Sequence, residues 1–191
     1  MKQLTKETLC RFEKNFRILS TNEMRSLIGG DKYIFNASGQ ITEIIPEFGK
    51  HIVYANGDNS GFELGQYTNI SSGIVGEGNR QGVLISGASF DLFEYFAQRT
   101  NVEWGLSYDS RNNEDEFKGT LSTNCNASEI DSVFCKGDDS YTHSHPGNTP
   151  EPSPKDQGVA DNMLNNKEYN YKYFEIYTPG NSNTNPIKPG F

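Results

Sequence analysis

Residues 141–156 read YTHSHPGNTPEPSPKD and contain two of the three histidines of the chain, His143 and His145. Successive side chains of a strand point to opposite faces, so residues two apart share a face and both imidazoles can reach one ion. Pro146 cannot continue the backbone ladder and ends the strand. The stretch therefore predicts a short strand with two nitrogen donors at its end.

A helix start follows seven residues later. Ser153 followed by Pro154 is typical of a helix N-terminus, with serine as the cap and proline at the first position. Asp156 then lies in the first turn, where its carboxylate can point back at the histidines. Two imidazoles and one carboxylate suit zinc, and three protein ligands leave the fourth position open, as in catalytic zinc sites. The alternative is a pair of surface histidines in a proline-rich loop.

The segment before this site predicts a helix and a strand. Residues 88–100 carry apolar side chains three and four apart, and Ser89 is a suitable N-cap. Residues 102–108 are expected to form a strand, in which Trp104 is a core residue.

The remaining segments are short and rich in turn residues. Strands are predicted at residues 33–35, 41–45, 51–54, 133–135 and 171–177, and loops at 61–80 and after the last strand. The chain thus divides into residues 1–30, a β-rich preface at 31–80, the main domain at 81–180 and a loose tail at 181–191. The fold class is α+β, with a mixed sheet flanked by helices.

The net charge of −8 disfavours phosphate backbones and anionic lipid as partners. No apolar run is long enough to span a membrane, and no signal-peptide core is present.

Cys125 and Cys135 fit a disulfide in an exported protein or two thiols in the cytosol, and the sequence leaves both alternatives open.

Residues 1–30 differ in charge from the rest, with six basic and three acidic residues. Their apolar residues follow a helical spacing and end at Gly29-Gly30. The segment resembles the double-glycine leaders of exported bacteriocin-like proteins. That resemblance implies an ABC exporter whose peptidase cuts after Gly30, so that the secreted protein begins at Asp31. The alternative is an ordinary N-terminal helix with a glycine C-cap in a cytoplasmic protein.

The pattern HxHP, six residues and then SxxD resembles the motif of the JAMM/JAB (MPN-fold) zinc metalloproteases. That family also has a glutamate before a Gly-Leu pair, in the strand after the first helix of the domain. Glu103 fits this position in the sequence Glu-Trp-Gly-Leu, although many members have two residues between the glutamate and the glycine. The other glutamates considered are Glu63, Glu77 and Glu94.

The resemblance covers about residues 83–178. This segment is also similar to JAB-like domains at the ends of bacterial polymorphic toxins. It implies an MPN/JAB-like fold in which zinc is held by His143, His145 and Asp156. Glu103 would then move a proton from water to the leaving amine, and Ser153 would donate a hydrogen bond to the oxyanion. The expected function is a secreted metallopeptidase or isopeptidase, a toxin or effector, acting on a peptide, protein or isopeptide-linked substrate and paired with an immunity protein. The alternatives are a non-catalytic MPN-fold interaction module and an intracellular zinc amidase.

Overall fold

The computed structural model describes residues 30–47, 49–65, 67–76, 80–111, 119–125, 130–166, 170–180 and 183–186. The predicted leader helix, with Cys10, lies outside these residues. Neither helix of the described ranges is long and apolar enough to cross a bilayer.

The described residues form two α-helices and eleven strands, and the strands make up two sheets. The strands are β1 (Asp31–Phe35), β2 (Ile41–Pro46), β3 (Ile52–Ala55), β4 (Phe62–Glu63), β5 (Asn69–Val75), β6 (Arg80–Ala88), β7 (Trp104–Tyr108), β8 (Gly119–Asn124), β9 (Ser140–Ser144), β10 (Tyr173–Thr178) and β11 (Asn183–Pro186). The helices are α1 (Phe90–Arg99) and α2 (Pro154–Asn165).

The small sheet has the order β2-β1-β3-β4 and lies within the predicted β-rich preface at 31–80, whose later strand β5 belongs to the large sheet. Its first two strands are an antiparallel hairpin, and β1 pairs with β3 in parallel. The side chain of Asn36 shapes the hairpin turn by accepting hydrogen bonds from the amides of Ser38 and Gln40, each at 3.0 Å. Gly39 has a φ of +69°, a left-handed conformation that favours glycine.

The large sheet has the order β11-β10-β9-β7-β8-β6-β5. All neighbouring strands are antiparallel except β9 and β10, which run in parallel. The predicted mixed sheet with flanking helices is therefore confirmed, and the fold is α+β.

Two apolar cores lie on opposite faces of the large sheet. One joins α1 and the small sheet to the sheet face that carries Trp104, which is fully buried and stacks on Phe96 with ring centroids 4.3 Å apart. The other joins α2 to the face that carries Tyr141 and Phe174. This second face is also the face of the two histidines, since Tyr141 and His143 are two apart on β9.

Both helices begin where the sequence predicts. The hydroxyl of Ser89 caps α1 by accepting the amide of Leu92 at 3.1 Å, and the stripe of the helix that includes Phe93 and Phe96 is buried. Ser153 caps α2, with Pro154 at the first position.

Three local predictions are wrong. Residues 61–80 are not a loop, because β4 and β5 lie there and β5 forms the edge of the large sheet. Residues 133–135 form no strand, because the amide of Cys135 donates to the hydroxyl of Tyr171 at 3.0 Å instead of to a neighbouring strand. The tail at 181–191 is not wholly loose, since β11 pairs with β10; its other residues lie outside the described chain.

Candidate metal centre

Strand β9 places the two histidines at the middle of the large sheet. His143 lies opposite Gly105 of β7 and opposite Ile176 of β10. His145 follows the last residue of β9, and its backbone amide donates to the carbonyl of Tyr177 at 3.0 Å. The two residues are 2% and 7% exposed, so their ring nitrogens depend on protein partners or on a bound ion.

The donor atoms of His143, His145 and Asp156 converge. The two Nε2 atoms are 3.0 Å apart, and each lies 3.4 Å from an oxygen of Asp156. Donors bound to one tetrahedral zinc ion at about 2.0–2.1 Å lie about 3.3 Å from each other. Within the described part of the chain, these three residues form the one group of His, Cys, Asp or Glu side chains with a metal-binding arrangement. The spacing and the chemistry of the donors fit zinc.

The first turn of α2 holds the carboxylate of Asp156 in place. Its Oδ2 accepts the amide of Ser153 at 2.7 Å, while its own amide donates to Ser153 Oγ at 3.2 Å, a reciprocal capping box. Burial alone would raise the pKa of this carboxyl, but hydrogen bonds from His143 and His145 outweigh burial and hold the pKa well below its ordinary value. The carboxylate is therefore charged and ready to bind a cation.

A backbone carbonyl decides which nitrogen of His145 faces the cluster. Nδ1 lies 2.8 Å from the carbonyl oxygen of Thr149, which can only accept a hydrogen bond, so Nδ1 carries the proton. Nε2 then faces Asp156: it donates to the carboxylate when it is protonated, and it offers its lone pair to an ion when it is not. Burial lowers the pKa of His145, but Asp156 and the Thr149 carbonyl more than compensate, and the pKa is raised.

Glu103 immediately precedes β7 and is half-buried. Its Oε2 accepts the amide of Ile130 at 3.0 Å. Burial raises the pKa of this carboxyl, and the charge of His143 opposes the rise. The carboxyl also interacts electrostatically with His145 and Asp156, so it lies in the same charged neighbourhood as the predicted ligands.

Glu63 and Glu94 do not share this neighbourhood. Glu63 pairs with Lys50 on the small sheet, and Glu94 lies on α1, against the opposite face of the large sheet. Glu77 lies outside the described residues.

Ser153 lies next to the cluster through its two hydrogen bonds with Asp156. Its Oγ accepts a hydrogen bond in the cap, and a hydroxyl that accepts one bond still has its own proton to donate. Capping α2 and donating to a substrate are therefore compatible.

A cleft of about 400 Å³ lies beside these residues. It runs between the segment 130–134 and α2, and it includes Ile130, whose amide binds Glu103, and Lys155, the neighbour of Asp156. Its other lining residues are Asp131, Ser132, Phe134, Val159, Asn162, Met163 and Asn166. None of the five predicted site residues lines this cleft, which adjoins them through Ile130 and Lys155.

Several supporting residues could not be found from sequence. Thr149 and Ile130 act through backbone atoms, which carry no sequence signal.

Cys125 and Cys135 are free thiols with different neighbours: the first lies 3.4 Å from the carbonyl of Gly39, the second 3.2 Å from the hydroxyl of Thr120.

Comparison with known families adds one finding. Residues 86–166 match the family model described as JAB-like toxin 1. This range includes α1, Glu103, both histidines, Ser153 and Asp156. Searches of curated proteins and of solved structures found no match.

Proposed function

We propose that this chain, whose residues 86–166 match the family model described as JAB-like toxin 1, is a zinc-dependent hydrolase of amide or isopeptide bonds. The observation that carries the proposal is the convergence of three donors: two Nε2 atoms 3.0 Å apart, each 3.4 Å from Asp156. Three ligands leave one tetrahedral position open, which distinguishes catalytic from structural zinc sites.

A zinc ion in such a site lowers the pKa of water towards neutrality and polarises a carbonyl group. Glu103 supplies the base: its raised pKa suits a group that takes a proton from water and returns it to a leaving amine. Ser153 donates a hydrogen bond to the oxygen that becomes negative as the bond is attacked. The cleft between segment 130–134 and α2 receives part of a peptide, protein or isopeptide-linked substrate.

The proposal includes export. The basic segment 1–30, ending at Gly29-Gly30, would be removed by the peptidase of an ABC exporter, and an immunity protein would protect the producing cell. In this proposal, cutting after Gly30 precedes folding of the small sheet. In the folded chain the carbonyl of Gly30 accepts the amide of Glu47 at 3.0 Å, and the amide of Asp31 donates to His51 at 2.9 Å. The mass of the exported protein tests this: a start at Asp31 supports a cleaved leader, and an intact Met1 opposes it.

Metal content and hydrolysis of a peptide and an isopeptide-linked substrate test the activity. We expect one zinc ion per wild-type chain, the same content in Glu103→Gln with activity lost, and little zinc in His145→Ala. His51→Ala is the matched control, because His51 immediately precedes β3 of the small sheet, accepts the amide of Asp31 and should keep both zinc and activity.

Each result has a clear meaning. Zinc binding without hydrolysis of either substrate would favour an interaction module of the same fold. Activity that survives in Glu103→Gln would reject Glu103 as the base. Equal zinc loss in His51→Ala and His145→Ala would reject the proposed site.

A further inference from the structure

The peptide group between Glu103 and Trp104 is held from both sides by side-chain hydroxyls. Its N–H, which belongs to Trp104, donates to Ser144 Oγ at 2.9 Å. Its carbonyl, which belongs to Glu103, accepts from Thr123 Oγ1 at 2.6 Å. Ser144 lies on β9 and Thr123 on β8, so the strands on either side of β7 each contribute one hydroxyl.

Both hydroxyl-bearing side chains are fully buried. A buried amide or carbonyl that loses its partner has no water to replace it, and the backbone moves to find one. The orientation of this peptide group sets the direction in which the Cα–Cβ bond of Glu103 leaves the backbone. The amide of Ile130 fixes the far end of the same side chain.

Ser144 has a second connection to the site, because it stands between His143 and His145. The two histidines point to one face of β9, and Ser144 points to the other. A displacement of β9 would therefore move both ligands and the anchor of Glu103 together.

We propose that Ser144 and Thr123 are positioning residues that fix Glu103 relative to the three ligands. This inference rests on the proposed function, in which Glu103 is the base. Neither hydroxyl contacts the ligands or the substrate in this role; each acts through the backbone of Glu103. Small misplacements of a reacting group lower rates strongly, by about 100-fold for 1 Å.

Four variants and one control test the proposal in the full chain. Ser144→Ala and Thr123→Val remove one hydroxyl each, whereas Ser144→Thr and Thr123→Ser keep it. Ser122→Ala is the control, because Ser122 is equally buried on β8 but its hydroxyl has no hydrogen-bond partner.

We expect the first pair to lose about 10- to 100-fold in kcat with zinc content and KM near wild type. The hydroxyl-retaining pair should stay near wild type, as should Ser122→Ala. In a Glu103→Gln background, Ser144→Ala should not lower the residual kcat further, since an effect that acts through Glu103 disappears with it. Amide hydrogen exchange adds a readout independent of activity: the Trp104 amide should exchange faster in Ser144→Ala than in Ser144→Thr.

Three results would overturn the proposal: wild-type kcat in both Ser144→Ala and Thr123→Val, loss of zinc in parallel with activity, or an equal loss from Ser122→Ala. An inactive wild type would reject the proposed function instead. The exchange rate of the Trp104 amide would then still decide whether Ser144 holds this peptide group.

Discussion

Asp156→Asn separates the two roles of this aspartate, which are metal binding and helix capping. The carboxylate faces both Nε2 atoms at 3.4 Å and also accepts the amide of Ser153 at 2.7 Å. An amide oxygen in its place can still accept that backbone hydrogen bond, but it has no negative charge with which to bind the metal ion. Asp156→Ala removes both roles at once.

The magnitude follows from linkage between binding and folding. Zinc at one hundred times its dissociation constant stabilises a folded protein by about 2.7 kcal/mol. For a chain of 191 residues, at about 2–4 °C per kcal/mol, this raises the melting temperature by about 5–11 °C. Asp156→Asn should lose most of this increase, and in EDTA it should melt below wild type, because it also loses the charged carboxylate whose pKa is lowered by His143 and His145. Asp156→Ala should lose the same increase and melt about 2–4 °C lower in EDTA, because a lost cap costs about 1 kcal/mol.

Thermal melts of the three proteins, in EDTA and in a zinc series, make the measurement. Asp161→Asn is the control: Asp161 is a carboxylate on the same helix that accepts a hydrogen bond from Gln157 and lies outside the metal cluster. A full zinc-dependent increase in Asp156→Asn would refute the assignment of Asp156 as a ligand. A wild-type melting temperature independent of zinc would refute the site itself.

Three further outcomes are expected. Gly105→Ala should destabilise the fold by about 1–3 kcal/mol, measured by urea unfolding, because a methyl group there would overlap the phenol oxygen of Tyr141. Ser153→Ala should lose about 100- to 1,000-fold in kcat at unchanged zinc content, and Ser153→Asp, which restores a cap without a hydroxyl, should regain stability but not rate. The free energy of unfolding should fall as the pH rises from about 10 towards 12. Burial raises the pKa of Tyr95 and of Tyr171 to about 12, whereas tyrosines of the unfolded chain ionise near 10. Urea unfolding at pH 8 and pH 11 measures this change, and an unchanged free energy of unfolding would contradict it.

The sequence predicted the parts of the fold whose signals are local. Ser89 and Ser153 each cap a helix, and their capping bonds involve residues three positions away. The strand before Pro146 was predicted from the histidine spacing and the proline, which both act within a few residues. The three donor residues of the candidate site were also predicted, because the motif places them on these two local elements.

The sequence did not predict strand β8, because its polar side chains are explained by contacts with segments that are distant in sequence. Its sequence, GTLSTN, resembles a solvent-exposed loop, yet Ser122, Thr123 and Asn124 are fully buried. Thr123 binds the carbonyl of Glu103, while the side chain of Asn124 donates to the carbonyl of Val75 and accepts the amide of Asp131. Polar side chains satisfy backbone groups of neighbouring segments here, and hydrophobic periodicity cannot reveal partners that are distant in sequence.

The spacing around Glu103 also has a structural explanation. Only one residue separates Glu103 from Gly105, whereas many members of the JAMM/JAB family have two. Gly105 lies opposite His143 in the antiparallel pair, and residues paired in this way share a face of the sheet. A residue two positions earlier in extended backbone returns to that face, so a one-residue spacing directs Glu103 towards the histidines. With two intervening residues, a regular strand would direct the glutamate to the opposite face, and a β-bulge would be required to bring it back. In this chain, therefore, the one-residue spacing directs Glu103 towards the sheet face that carries His143.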